Sequence, residues 1–263
     1  MRGLKQRQFL TDPRFRSVIW VDPTQVRLQL GSKWPVGRER LNRLERFVPG
    51  ALLGPLRAPI KHAEPFAIPA RHFSAAIPVR DTQRYRRIAD ALDHADALQD
   101  SLWFHQMRTQ LRDTGAAYYK SRALHSEAEI LAFLRDDLLG LVESMRENGF
   151  DGSRTGYEST AVIMADGSLC KTGSGNHRFC IAKLIGLDRF PLQVVGAHEA
   201  WVKAHLPPSP TVEDVLALLP EVEAHNSAPA PAGDRVTPAR EAPLGTARPR
   251  RAGSRSANGH GAG

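Results

Sequence analysis

One stretch restricts what this chain can fold into more than any other: residues 173–195, GSGNHRFCIAKLIGLDRFPLQVV. A Gly-Ser-Gly turn runs into Asn176-His177-Arg178. An apolar helix follows, carrying Phe179, Ile181, Ala182, Leu184 and Ile185, and Gly186 stops it. A short strand from Pro191 to Val195 comes next. Glycines let a backbone approach a ligand closely and aim several N–H groups at it. A helix that starts at such a turn adds the positive end of its dipole. His177 and Arg178, at the mouth of the helix, are side-chain donors suited to phosphate. Gly173, Ser174, Gly175, Asn176, His177 and Arg178 are therefore the expected phosphate-binding residues.

The context upstream adds LVESMRENGF (141–150), the strand-like TAVIMADGSL, and then the turn. This order of helix, Glu-Asn-Gly-Phe turn, strand, Asp-Gly hairpin, glycine turn with His-Arg, helix and strand resembles the ParB/sulfiredoxin superfamily. The resemblance covers residues 137–201. It implies an α+β fold: a small mixed sheet with helices packed around it, here with an N-terminal helical extension. Partition proteins of that superfamily bind CTP through a Gly-Glu-Arg-Arg motif, and sulfiredoxins bind ATP through Gly-Gly-Cys-His-Arg. Free serine kinases also use a His-Arg form, which His177 and Arg178 match. Asn176 stands where sulfiredoxins have their catalytic cysteine, which argues against sulfinic-acid reduction. The Glu of the partition motif is missing as well. Glu143 matches a recurring acidic position that could act as general base or help hold a metal.

What the resemblance implies is a nucleotide-binding protein taking ATP or CTP with Mg2+. The enzyme reading is a phosphotransferase acting on a small-molecule acceptor, or a nucleotide hydrolase, with Glu143 and His177 in the chemistry. The alternative is a DNA- or partner-binding regulator of ParB type without turnover.

The residues can be weighed without the family. Phosphoryl chemistry needs a phosphate cradle, a charge-neutralising group and a group that positions the nucleophile. Gly173, Gly175, Asn176, His177 and Arg178 answer the first two needs, and Glu143 or Asp166 the third. The plainer readings are a glycine-rich turn capped by Asn176 with Arg178 on the surface, an Asp166-Gly167 hairpin turn, and Glu143 on a solvated helix face. Tyr118 and Tyr119 read as packing residues, with Lys120 a further phosphate contact.

The remaining sequence bounds the class. The 263 residues are 41% apolar, enough for a core. No apolar run approaches the ~18 residues of a membrane-spanning helix, and the basic N-terminus lacks the apolar segment of a secretory signal. A cytoplasmic location without membrane contact is the expectation. Cys170 and Cys180 cannot build a disulfide framework and read as buried packing. No Cys-x-x-Cys or His-Glu-x-x-His spacing offers a protein-held metal. Half of the net charge of +8 lies from Ala224 onward, where six Arg face Asp234 and Glu241. That Ala/Pro/Gly/Arg-rich segment reads as a disordered basic tail, and Arg-Pro-Arg-Arg at 248–251 is where nucleic acid would touch it.

Five segments follow: a basic N-terminus (1–13), an N-terminal extension with the first strand and helices (14–136), the nucleotide-binding core (137–206), a short peripheral helix (207–223) and the tail (224–263). Residues 14–30 hold two β-leaning runs around Asp22-Pro23. Residues 31–80 are proline-rich and read as irregular, with a helix over 37–47. Residues 82–113 are helical by the spacing of Ile88, Leu92, Leu98, Leu102, Trp103, Met107 and Leu111. Residues 126–148 form a long amphipathic helix opened by Ser126 and Glu129. Pro207-Pro208 ends the compact domain, leaving an acidic helix from Thr211 to Leu219.

Overall fold

In the computed structural model, residues 3–152, 156–157 and 159–227 are described. Helix α1 (Gln6–Leu10) precedes the two β-leaning runs, which form β1 (Val18–Val21) and β2 (Leu28–Gln29) on either side of Asp22-Pro23. Helices α2 (Pro35–Leu44) and α3 (Gly50–His62) follow, then the short strands β3 (Ala67–Ile68) and β4 (Ile77–Pro78). Next come α4 (Gln83–Asp93), α5 (Leu102–Thr114) and the hairpin of β5 (Ala117–Tyr119) and β6 (Arg122–Leu124). A continuous helical run combines α6 (Glu127–Ala132), a π-helical stretch (Phe133–Leu139) and α7 (Gly140–Asn148). The remaining elements are β7 (Thr160–Ile163), β8 (Leu169–Lys171), α8 (Asn176–Ile185), β9 (Phe190–His198), α9 (Glu199–His205) and α10 (Val212–Ser227). The α+β class expected from the sequence is the one observed: among the described residues, ten helices surround a mixed seven-stranded sheet beside the small β5–β6 pair.

The main sheet runs β1-β9-β7-β8-β2-β4, with β3 on the second half of β9. Strand β9 is antiparallel to β1 and parallel to β7 and β3, while β8 is antiparallel to β7 and parallel to β2. Both faces of the sheet are covered. Phe190, Leu192 and Val194 join the larger core with α4, α5, α7, α8 and α10, whereas Val162, Cys170 and Val195 face a smaller one with Leu30, Val36 and Ile68. That two-sided burial explains why β7 and β9 read as near-continuous apolar runs rather than alternating ones.

Several expected boundaries are corrected. The first strand expected within 14–136 joins the sheet, where β1 pairs Val18 with Gln193, and β2 adds a second strand by pairing Leu28 with Cys170. Residues 31–80 are not irregular. They hold two helices, and α3 contains Pro55 and Pro59, residues that argue against a helix interior when read in sequence. The helical 82–113 region is two helices. Thr82 and Ser101 cap them by accepting the Tyr85 and Phe104 amides at 3.3 Å, and left-handed Gly115 ends the second. Ser126 accepts the Glu129 amide at 3.2 Å as expected, while the Glu129 carboxylate takes the amide of His125 rather than that of Ser126.

Helix α10 is the largest departure. It is neither peripheral nor finished at Leu219, but continues through Pro220 to Ser227. Val215, Leu219 and Val222 are buried in the larger core. Asn226, expected in the tail, is buried: its side chain accepts the Leu169 amide at 3.1 Å and donates to the carbonyls of Gly167 (3.1 Å) and Val222 (2.8 Å). Pro220 obscured the continuation, because a proline inside a pattern reads as a stop. The rest of the expected tail, 228–263, lies outside the described residues. No helix among the described residues is long and apolar enough to cross a membrane.

The buried amide of Leu169 gives Asn226 a measurable role. Asn226→Ala should lower unfolding stability by about 1–3 kcal/mol, the cost of a stranded buried donor, as read by urea denaturation.

Candidate anion-binding site

Strand β8 ends at Lys171, and the chain then makes the Gly173–Gly175 turn into α8. Gly175 is the N-cap residue and sits at φ +62, in the left-handed region. A Cβ there would stand 2.6 Å from Ser159 Cα and 2.7 Å from Ser159 N, distances that side chains do not tolerate. The Ser159 hydroxyl donates to the Gly175 carbonyl at 2.9 Å, and the Thr172 amide donates to the Thr160 carbonyl at 3.0 Å. The start of β7 therefore clamps the turn from one side. The backbone amides of Gly173 through Arg178 find no acceptor among the described residues. Those at the start of α8 are unpaired for the usual reason, since a helix leaves its first N–H groups without intrahelical partners.

In front of the turn lies a cleft of about 710 Å³. Lys33, Arg84, Lys120 and Arg178 line it, and no carboxylate is among its described lining residues. The expected phosphate-binding residues Gly173, Ser174, Gly175, Asn176, His177 and Arg178 all line it together. Lys120 reaches it from the tip of the β5–β6 hairpin, where its φ is +55.

His177 is held by its neighbours. Its ring stacks on Trp103 at 5.7 Å and 9°, the Tyr119 hydroxyl lies 3.0 Å from Nδ1, and Arg84 Nη1 lies 2.6 Å from Nδ1 and 2.7 Å from Nε2. Burial first, and then the charges of Arg84, Lys120 and Arg178, push its pKa down to about 3. The imidazole is thus neutral at physiological pH and accepts a hydrogen bond from the guanidinium. Behind it, Phe133 from the π-helical stretch packs on Tyr119 at 4.4 Å and on Trp103 at 5.5 Å. A π-turn in a helix frequently marks a functional site.

Glu143 is not brought to this cleft. Its side chain is 61% exposed and pairs with Arg146 at 3.7 Å. Leu141, two residues earlier on α7, does line the cleft, and residues two apart on a helix point about 200° apart. Asp166 is a turn residue: Oδ1 accepts the Ser168 amide (3.0 Å) and hydroxyl (2.6 Å), and Gly167 takes φ +85. Cys170 and Cys180 are free and buried, and burial pushes their thiols up to about 12 and about 11. The described residues contain no group of three or more metal-ligating side chains.

Sequence reasoning missed three residues. Arg84 and Lys33 come from segments given no ligand role, and nothing local marks them. Lys171 lies buried behind the turn, where Nζ donates to the Thr172 carbonyl and Asn176 Oδ1, both at 3.0 Å, and to the Ser174 carbonyl. Its signal was available: a lysine in a short apolar strand immediately before a glycine turn. Comparison with known proteins adds no relative, since no family model, curated protein or solved structure matches this chain.

Two glycines with the same backbone separate conformation from contact. Gly186 ends α8 at φ +68 with nothing near its missing Cβ, so Gly186→Ala should cost about 1–2 kcal/mol. Gly175→Ala meets the same backbone penalty and also collides with Ser159. Urea unfolding should show a clearly larger loss for Gly175→Ala.

Proposed function

We propose that the cleft binds the phosphates of a nucleotide, ATP or CTP, with the amides of Gly173–Arg178 and the side chains of Lys33, Arg84, Lys120 and Arg178 as donors. The observation that carries this reading is the convergence of these four cations on amides that find no acceptor among the described residues, with no carboxylate in the described lining. Cations that line one cleft repel one another, and an anion relieves that repulsion. The resemblance of residues 137–201 to the ParB/sulfiredoxin superfamily supports a nucleotide as the source of the phosphates. Phe15 and Tyr157, 5.3 Å apart in the same lining, offer ring faces on which a base can stack.

The reading is one of binding rather than turnover. A proton acceptor working near neutrality needs a pKa in that range, and His177 at about 3 is far below it. Glu143 lies outside the described lining of the cleft, and the proposal assigns no catalytic base. Mg2+ would arrive with the nucleotide rather than on side chains, since the described lining contains no carboxylate. A regulator acting through its tail would draw on residues 228–263, outside the described residues.

A thermal-shift panel with ATP, ADP, CTP and GTP, each with and without Mg2+, tests the reading. A ligand that binds only the folded chain raises its Tm. Arg178→Ala should weaken nucleotide affinity at least about tenfold, the worth of one charge-assisted contact at ~1.5–3 kcal/mol. Glu143→Gln should bind like the wild type. No shift with any nucleotide would refute the proposal.

A further inference from the structure

Lys171 is fully buried in β8, and nucleotide contact does not account for it. A lysine leaves water only at a cost unless its hydrogens find acceptors. An apolar side chain would fill the same position more cheaply, as the buried neighbours Leu169 and Cys170 do. The three acceptors of Lys171 all belong to the turn segment: the carbonyls of Thr172 and Ser174 and the side chain of Asn176. The Phe179 ring lies 5.6 Å from Nζ, so the first turn of α8 closes over the ammonium.

We propose that Lys171 is the positioning residue of the anion turn: its ammonium draws the turn's carbonyls and the Asn176 side chain inward, so that the amides of Gly173–Arg178 face the cleft backed by a buried positive charge. The inference rests on the reading of the cleft as a phosphate site. The lysine acts on a ligand without touching it, through the orientation of the amides and through a low-dielectric interior that screens its charge poorly.

Burial pulls the pKa of Lys171 down to about 7. The titratable and charged groups facing it are Lys33 from the segment after β2, Cys170 on β8 and Cys180 on α8. Both thiols stay protonated across neutral pH, and His177 stays neutral, so the proton that moves there belongs to Lys171. A bound anion favours the charged ammonium. Binding is therefore strongest below the lysine's pKa and weakens as pH rises through it.

Titration calorimetry with ATP, without added Mg2+, on wild type and Lys171→Met from about pH 6 to 9 tests this around the displaced lysine pKa. The ligand's own titration is common to both proteins and cancels in the ratio of their Kd values. The wild type should bind about tenfold more tightly at the acidic end, in line with the loss of one charge-assisted interaction. That advantage should shrink toward the alkaline end. Equal affinities at the acidic end, or a ratio that does not change with pH, would overturn the inference. Absence of binding by the wild type at every pH would overturn the reading of the cleft, and this inference with it. Should Lys171→Met fail to fold, Lys171→Gln, which keeps donors without charge, takes its place with the same expected outcomes.

Discussion

Strand β9 has neighbours along both edges and side chains packed on both faces, and the candidate site is built outward from it. The parallel pairing with β7 lets the Gln193 amide donate to the Ser159 carbonyl at 2.9 Å. Ser159 is thereby fixed, and it is the residue pressed against Gly175. The turn can sit there only because residue 175 has no Cβ and tolerates a left-handed backbone. The start of α8 inherits its position from that contact. The same sheet places β1 and β2, so the N-terminal thirty or so residues belong to the scaffold rather than preceding it.

The electrostatics of the cleft work against the fold that holds it. Surface cations in folded proteins usually find carboxylates or water. Here a neutral histidine receives Arg84, and a stack on Trp103 and the Tyr119 hydroxyl keep that histidine in place. Lys171 adds an ammonium behind the turn, offset by the carbonyls of Thr172 and Ser174, the Asn176 side chain and the Phe179 ring. Such an arrangement sacrifices stability at one place, and the large two-sided core around β7 and β9 is what can sustain it.

What was legible in the sequence was local. Glycines beside an apolar helix marked the turn, and the structure brings Gly173 to Arg178 together in one cleft. Asp22-Pro23 between two β-leaning runs, and the capped helix at Ser126, were equally readable. What escaped was decided at long range. Arg84 meets His177 across 93 residues of sequence, and no spacing rule reports such a pair. Glu143 was chosen for its chemistry, while the face of α7 on which it sits depends on how that helix packs. Prolines caused the remaining errors: Pro55 and Pro59 lie inside α3 and Pro220 inside α10, held by tertiary packing against their usual effect on helices.

The lack of carboxylates in the described lining also bears on kinetics. Field lines from Lys33, Arg84, Lys120 and Arg178 spread into solvent through the mouth of the cleft with no opposite charge in that lining to close them. An anion bound as proposed would be attracted before it makes contact, so that its capture accelerates in dilute salt and slows as ionic strength rises. Its departure would be governed by short-range hydrogen bonds at the turn, which salt screens far less. Capture and release at this one cleft would then be under separate physical control.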